Sequence, residues 1–199
     1  MLMMLLLACS GATEETEPVG PLTCPELLDG GPSAIDEAGL RVLLDGVLDN
    51  LFPELEGVSI ELRPNTSDSS YFSANPDLST LDRAPLERDY FVQYSTLQFD
   101  SPPPADAVTA ILAHELKHVR DYTEMSTEEL AEFGLWYISN DISEYERATD
   151  EHSLELGCGE GLILFREWLY AHVTPEVEAQ KRIDYYTPEE IEAWMAANP

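Results

Sequence analysis

Basic side chains are scarce in this chain of 199 residues. Ten lysines and arginines stand against 39 aspartates and glutamates, which gives a formal charge of −29. A surface of that charge repels phosphate backbones and anionic lipid head groups. Nucleic acid and an anionic membrane surface are therefore excluded as partners. The acidic residues are spread along the chain, so solubility in salty surroundings is favoured over recognition of a cationic substrate.

Long apolar runs are also missing. The N-terminal run, residues 1–8, is too short to span a bilayer. It ends in a small residue followed by Cys9 and resembles the signal of a bacterial lipoprotein, although the usual positive residues before the apolar run are absent. We expect lipidation of Cys9, an acidic tether over residues 9–32, and a location in the bacterial cell envelope, where only the lipid contacts the membrane. A short secretory signal or a frayed apolar end is the alternative.

Cysteine occurs only three times. With Cys9 assigned to the lipid, Cys24 and Cys158 remain, and neither has a second cysteine at ligand spacing. A cysteine-based zinc site is therefore excluded. An even pair in an exported protein suggests a disulfide between Cys24 and Cys158, with two separate free thiols as the alternative.

Histidine is rare too, but two of the four histidines stand four residues apart, in His114-Glu115-Leu116-Lys117-His118. Positions four apart lie one above the other on a helix, so His114 and His118 can grip one cation. Two neutral imidazoles suit Zn²⁺, and Glu115 lies beside their face, where it can reach a metal-bound water. The alternative is a surface helix with solvated histidines. Apolar residues at helical spacing argue against it, because they indicate a helix with one buried face: Val108, Ile111, Leu112, Leu116 and Val119.

A later segment, residues 143–150, offers a candidate third ligand. Glu146 and Asp150 are again four residues apart and share one face of a predicted helix. One carboxylate could complete a zinc triad, and the other could hold a ligating imidazole by its second ring nitrogen. In so acidic a chain the alternative is a solvated acidic face. Glu144 is the next carboxylate in line as a ligand.

The order of the two motifs, HExxH and then Glu-x-x-x-Asp on a later helix, resembles the gluzincin metallopeptidases. Within that group the local sequence is most similar to the M48-type peptidases and to the small soluble minigluzincins. The resemblance implies that Zn²⁺ is bound by His114, His118 and Glu146. It also implies that Glu115 is the general base and that Asp150 holds His114 by the ring nitrogen that does not bind the metal.

Two other metal-protein classes are set aside. Metzincins place a glycine and a third histidine after HExxH, where this chain has Asp121 and Glu124. Ferritin-like di-iron bundles need two Glu-x-x-His motifs, and this sequence has one.

Apolar periodicity predicts an α+β fold, a mostly helical zincin-like domain over residues 33–199 with a small β-sheet preceding the HExxH helix. Residues 58–62 and 90–99 are predicted strands. The second of these is either an ordinary core strand or, by the resemblance, the rim of a substrate cleft. Residues 64–89 are predicted to be a long loop, which could act as a lid in a self-inhibited enzyme. Helices are predicted at 33–52, 105–122, 126–136, 143–156, 161–172, 175–183 and after Thr187.

These patterns predict a zinc metallopeptidase that hydrolyses a peptide or protein substrate with a metal-activated water. The oxyanion donor is left open among His172, Tyr137, Tyr170, Tyr185, Tyr186 and Arg147. The alternative is a non-catalytic envelope lipoprotein with a structural zinc site or an acidic partner-binding surface.

Overall fold

The computed structural model describes Cys24 and residues 35–198. The predicted signal segment, Cys9 and all of the predicted tether except Cys24 lie outside the described residues. Within them no helix is both long and apolar enough to cross a membrane.

The fold is α+β and mostly helical, with a small sheet that precedes the HExxH helix, as predicted. The strands are β1 Ser59–Asn65, β2 Phe72–Pro76 and β3 Asp89–Ser95. The helices are α1 Glu37–Leu51, α2 Ala105–Glu124, α3 Thr127–Ser139, α4 Ser143–Glu155, α5 Gly159–His172, α6 Pro175–Asp184 and α7 Pro188–Ala197.

The sheet has the strand order β1-β3-β2, with β1 parallel and β2 antiparallel to β3. The prediction that residues 64–89 form a long loop is wrong, because β2 lies inside this segment. Of the two alternatives for residues 90–99, the rim is wrong and the core strand fits, because β3 is paired on both sides and has no free edge. The unpaired edges of the described sheet belong to the two outer strands, β1 and β2.

Helix α2 lies at the centre of the fold, because the apolar residues along it pack against the neighbouring elements. The helix packs against the sheet through β2 and against α1, α4 and α5. The closest approach is made by α5 at Gly161, where a Cβ atom would lie 2.4 Å from the carbonyl oxygen of Asp106 and 2.7 Å from the Cβ of Ala110. Glycine is required there because only a bare backbone lets the two helices come this close.

Local signals fix where the shorter helices begin. Helix α3 starts in a capping box, in which Ser126 and Glu129 each accept a hydrogen bond from the other's backbone N–H. Thr187 and Glu190 form the same arrangement at α7, with a proline in its first turn.

A disulfide joins Cys24 to Cys158, the pair that the cysteine count suggested. Both residues are buried, and the backbone N–H of Cys24 also donates to the carbonyl of Leu156. The bridge ties the start of the described chain to the turn between α4 and α5, next to the helix that carries Glu146.

Candidate metal centre

Three side chains converge at the middle of α2 and the start of α4. The Nε2 atoms of His114 and His118 are 3.2 Å apart. Glu146 Oε2 is 3.2 Å from the first nitrogen and 3.4 Å from the second. All three residues are buried, so the structure brings together the predicted ligand set in an almost equilateral triangle.

The size of this triangle fits a tetrahedral zinc ion. Ligand atoms roughly 2.1 Å from such an ion lie about 3.4 Å from one another. Two imidazole nitrogens and one carboxylate oxygen are also the donor set of catalytic zinc sites, which leave a fourth position open. The protein atoms could therefore accept Zn²⁺ with little rearrangement.

The far side of the His114 ring is held by Asp150. Its Nδ1 atom lies 2.9 Å from Asp150 Oδ1. The carboxylate is itself fixed, because the Arg166 guanidinium donates to both of its oxygens at 2.9 and 3.1 Å and the backbone N–H of Tyr186 donates at 3.0 Å. With Nδ1–H donating to Asp150, the lone pair of Nε2 is directed at the centre of the triangle.

A second chain of hydrogen bonds holds His118. Its Nδ1 atom lies 2.9 Å from the hydroxyl of Tyr145, which donates to Asp121 Oδ2 at 3.3 Å. Asp121 in turn accepts from the Lys117 ammonium. Glu146 has its own support, because the hydroxyl of Tyr137 donates to Oε1 and leaves Oε2 for the cation.

The ionisation of the metal-free site follows from these contacts. Burial by itself lowers the pKa of His114, but the hydrogen bonds with Asp150 and Glu146 outweigh it and raise the pKa to about 9. Burial would raise the pKa of Glu146, and hydrogen bonds from both histidines lower it instead. Without a metal, the proton on His114 takes the place of the cation between the carboxylates.

Glu115 lies beside the triangle and faces the edge of β2. The carbonyl of Tyr71 accepts a hydrogen bond from the N–H of Ser95, and the N–H of Asp77 donates to the carbonyl of Asp89. Because alternate residues of β2 bond to β3, the intervening Phe72 and Ala74 direct their N–H and C=O groups away from it. The N–H of Ala74 interacts with the Glu115 carboxylate. Burial nonetheless raises the pKa of Glu115.

A cleft of about 510 Å³ opens onto Glu115, His118 and Glu146. One wall is the free edge of β2. The opposite wall is apolar and comes mainly from α3 and the residue before α4: Leu130, Ala131, Phe133, Ile138 and Ile142. This apolar wall and the unpaired strand edge together suit an extended peptide with a large apolar side chain.

The structure shows which of the six candidate oxyanion donors line the cleft. Only Tyr137 and Tyr185 line the cleft. The Tyr137 hydroxyl already serves Glu146, whereas the ring of Tyr185 stands 5.7 Å from that of His114. The other candidates do not line the cleft. His172 contacts Trp168, Arg147 pairs with Glu190, Tyr186 donates to Glu151, and the ring of Tyr170 packs against Arg182.

Three supporting residues were missed by sequence reasoning. Arg166 could have been noticed, because an arginine inside the apolar stretch of α5 must find a buried partner. Tyr145 and the cleft-lining Lys181 carried no such signal. His152, two residues after Asp150 in the sequence, lies against Arg120.

No protein-family model matches this sequence, and no curated protein or solved structure is significantly similar to it.

Proposed function

We propose that this protein is a zinc-dependent peptidase. The observation that carries the proposal is the buried triangle of His114 Nε2, His118 Nε2 and Glu146 Oε2, whose sides of 3.2 to 3.4 Å match tetrahedral zinc. Support also comes from the position of Glu115 and from the unpaired edge of β2 along the same cleft.

Bound Zn²⁺ would supply Lewis acidity, which lowers the pKa of a water in the cleft toward neutrality. Glu115 would accept the proton of that water and pass it to the amine that leaves when the C–N bond breaks. Tyr185 would donate a hydrogen bond to the oxyanion. Phe72 and Ala74 would pair with the peptide backbone and so orient the scissile carbonyl.

The test combines metal content with hydrolysis of a mixed peptide pool. The wild type is expected to bind about one zinc ion, and Glu146→Ala is expected to lose most of it, because two histidines alone leave the site open. Glu115→Gln is expected to keep the zinc and lose hydrolysis, since an amide cannot accept the proton. Absence of zinc from the wild type after zinc is supplied would defeat the proposal.

A structural zinc site in a non-catalytic envelope lipoprotein is the second candidate, and the burial of all three ligands favours it. Small hydroxamates distinguish the two. A catalytic site exchanges its fourth ligand and binds a hydroxamate in the folded state, whereas a structural site has its coordination closed.

A further inference from the structure

Nearly every cation in the described part of the chain has an anionic partner. Carboxylates lie within reach of all the arginines except Arg88. Arg88 is satisfied by the carbonyls of Arg83 and Met125 and by the Thr127 hydroxyl. Of the chain's two lysines, Lys117 pairs with Asp121. Such thorough pairing is expected where acidic residues outnumber basic ones almost four to one.

Lys181 is the exception. Its ammonium makes no hydrogen bond or ion pair with any described residue and lies 4.8 Å from the centre of the Tyr185 ring. The nearest carboxylates on its own helix are occupied, because Asp184 accepts from Gln180 at 2.8 Å and Glu178 pairs with Arg182 at 2.9 Å. Burial and the nearby Arg166 lower the pKa of Lys181 by more than the charges of Glu146, Glu115 and Asp184 raise it.

The unpaired charge of Lys181 lies at one end of the cleft. It lines the cleft together with Glu115 and, in an adjoining recess, with residues 69–72 at the start of β2. The start of α3 lies beyond the other end of the strand, because the Thr127 hydroxyl donates to the carbonyl of Leu81. Pro76, Leu78 and Leu81 line the cleft there together with apolar side chains of α3. The cleft therefore has a cationic end and an apolar end, with the metal triangle between them.

Strand pairing decides which end of a peptide meets the cation. Antiparallel pairs are two to three times as common as parallel ones, and β2 already pairs in that way with β3. A peptide that pairs antiparallel with β2 runs from Pro76 towards Phe72. Its C-terminal side then approaches Lys181.

We propose that Lys181 binds the C-terminal carboxylate of the substrate, so that the site acts on free C-terminal ends and releases short fragments from them. This inference rests on the proposed peptidase function and specifies its substrate class. The ammonium would pair with the carboxylate beyond the scissile bond, while Phe72 and Ala74 hold the intervening backbone.

The test measures binding rather than turnover, in the zinc-loaded Glu115→Gln variant of the full chain. The probes are fluorescein-labelled alanine–leucine hexapeptides. One has a free C-terminal acid and one has a C-terminal amide. Two further amides carry a glutamate, one in the last position and one in the position before it. Each is titrated by fluorescence anisotropy. Lys181→Met and Lys181→Arg are added on the same background. Arg182→Met is the matched control, because Arg182 is the adjacent cation on α6 and is exposed.

The free acid is expected to bind about ten- to a hundredfold more tightly than the amide, as for a charged hydrogen bond. Lys181→Met should remove this preference, Lys181→Arg should restore part of it, and Arg182→Met should leave it unchanged. Equal binding of acid and amide, or no binding of either, overturns the proposal. So does an equal loss for both forms in Lys181→Met.

The glutamate peptides identify the source of the carboxylate. If they bind as tightly as the free acid, Lys181 recognises an acidic side chain and the C-terminal assignment is wrong. If the free acid binds more tightly but the wild type hydrolyses no peptide, the carboxylate-binding role of Lys181 is supported and the proposed peptidase function is wrong. If the wild type hydrolyses peptides but shows no preference for the free acid, the peptidase function is supported and the role of Lys181 is wrong.

Discussion

His114 carries the proton that competes most directly with a metal ion. Its pKa in the metal-free site is about 9 because hydrogen bonds with Asp150 and Glu146 outweigh burial. At pH 7 the ring must lose that proton before Nε2 can bind zinc. We expect zinc affinity to rise between pH 6.5 and 9, with proton release visible by calorimetry in buffers of different ionisation enthalpy. Affinity independent of pH over this range would contradict the assignment.

The same proton makes the stability of the metal-free protein depend on pH. The folded pKa of about 9 lies above the ordinary value of 6.5 for His114. Protonation therefore stabilises the fold fully below pH 6.5, and this contribution is lost as the pH rises through 9. The melting temperature of chelator-treated protein should fall over this range. The zinc-loaded protein is the control and should show no loss from this group.

Tyr185 is the residue proposed to donate a hydrogen bond to the oxyanion. Its hydroxyl has no hydrogen-bond partner among the described residues, whereas that of Tyr137, the other of the six oxyanion candidates on the cleft, is bonded to Glu146. Tyr185→Phe should lower kcat about 100-fold, the usual effect of removing one oxyanion donor, with KM little changed. Tyr170→Phe is a control outside the cleft. A change in KM alone would make Tyr185 a binding residue instead.

At the scale of elements, the helices were largely predictable and one strand was not. Helical periodicity depends on residues close in sequence, so α2 was placed within two residues of its observed end. β2 contains serine, asparagine and proline, which favour turns, and it is a strand because β3 pairs with it. Its free edge, and therefore the cleft wall, depends on a long-range contact that no local pattern shows.

Some residues of the candidate site could be predicted from local sequence, and others could not. The spacing of His114 and His118, and that of Glu146 and Asp150, is local, so each pair could be predicted from the sequence. That the two pairs meet was implied only by the resemblance to the gluzincins. Arg166 reaches Asp150 only because α5 packs closely on α2 at Gly161. Lys181 reaches the cleft from α6, and that approach is likewise a property of packing.

Helix α3 should be the least stable wall of the cleft. It buries only Leu130 and exposes Leu135 and Ile138, whereas α4, of the same length, buries five residues. Amide hydrogen exchange depends on local opening, so α3 should exchange faster than α4 in the zinc-loaded protein. A hydroxamate in the cleft should slow exchange in α3 and leave α1 unaffected. Equal protection of α3 and α4 would contradict this account.

For the whole molecule, the charge of −29 is spread over a chain whose cations are nearly all paired. The remaining carboxylates repel one another, which opposes the compact state. Exposed pairs such as Arg41–Asp45, at 3.7 Å, contribute little in return, while the buried Arg166–Asp150 pair is poorly reached by salt. Screening should therefore remove more repulsion than attraction, and added salt should stabilise the fold.

The corresponding measurement is the melting temperature in sodium chloride from 0.01 M to 0.5 M, over which the screening length falls from about 30 Å to a few ångströms. We expect it to rise over this range, most steeply at the low end. Arg63→Gln removes a pair that Arg63 makes with Glu61 and Asp77 and adds net negative charge, so it should steepen the rise. A melting temperature that falls with salt would mean that the surface ion pairs outweigh the repulsion, and the acidic surplus would then need a binding partner to explain it.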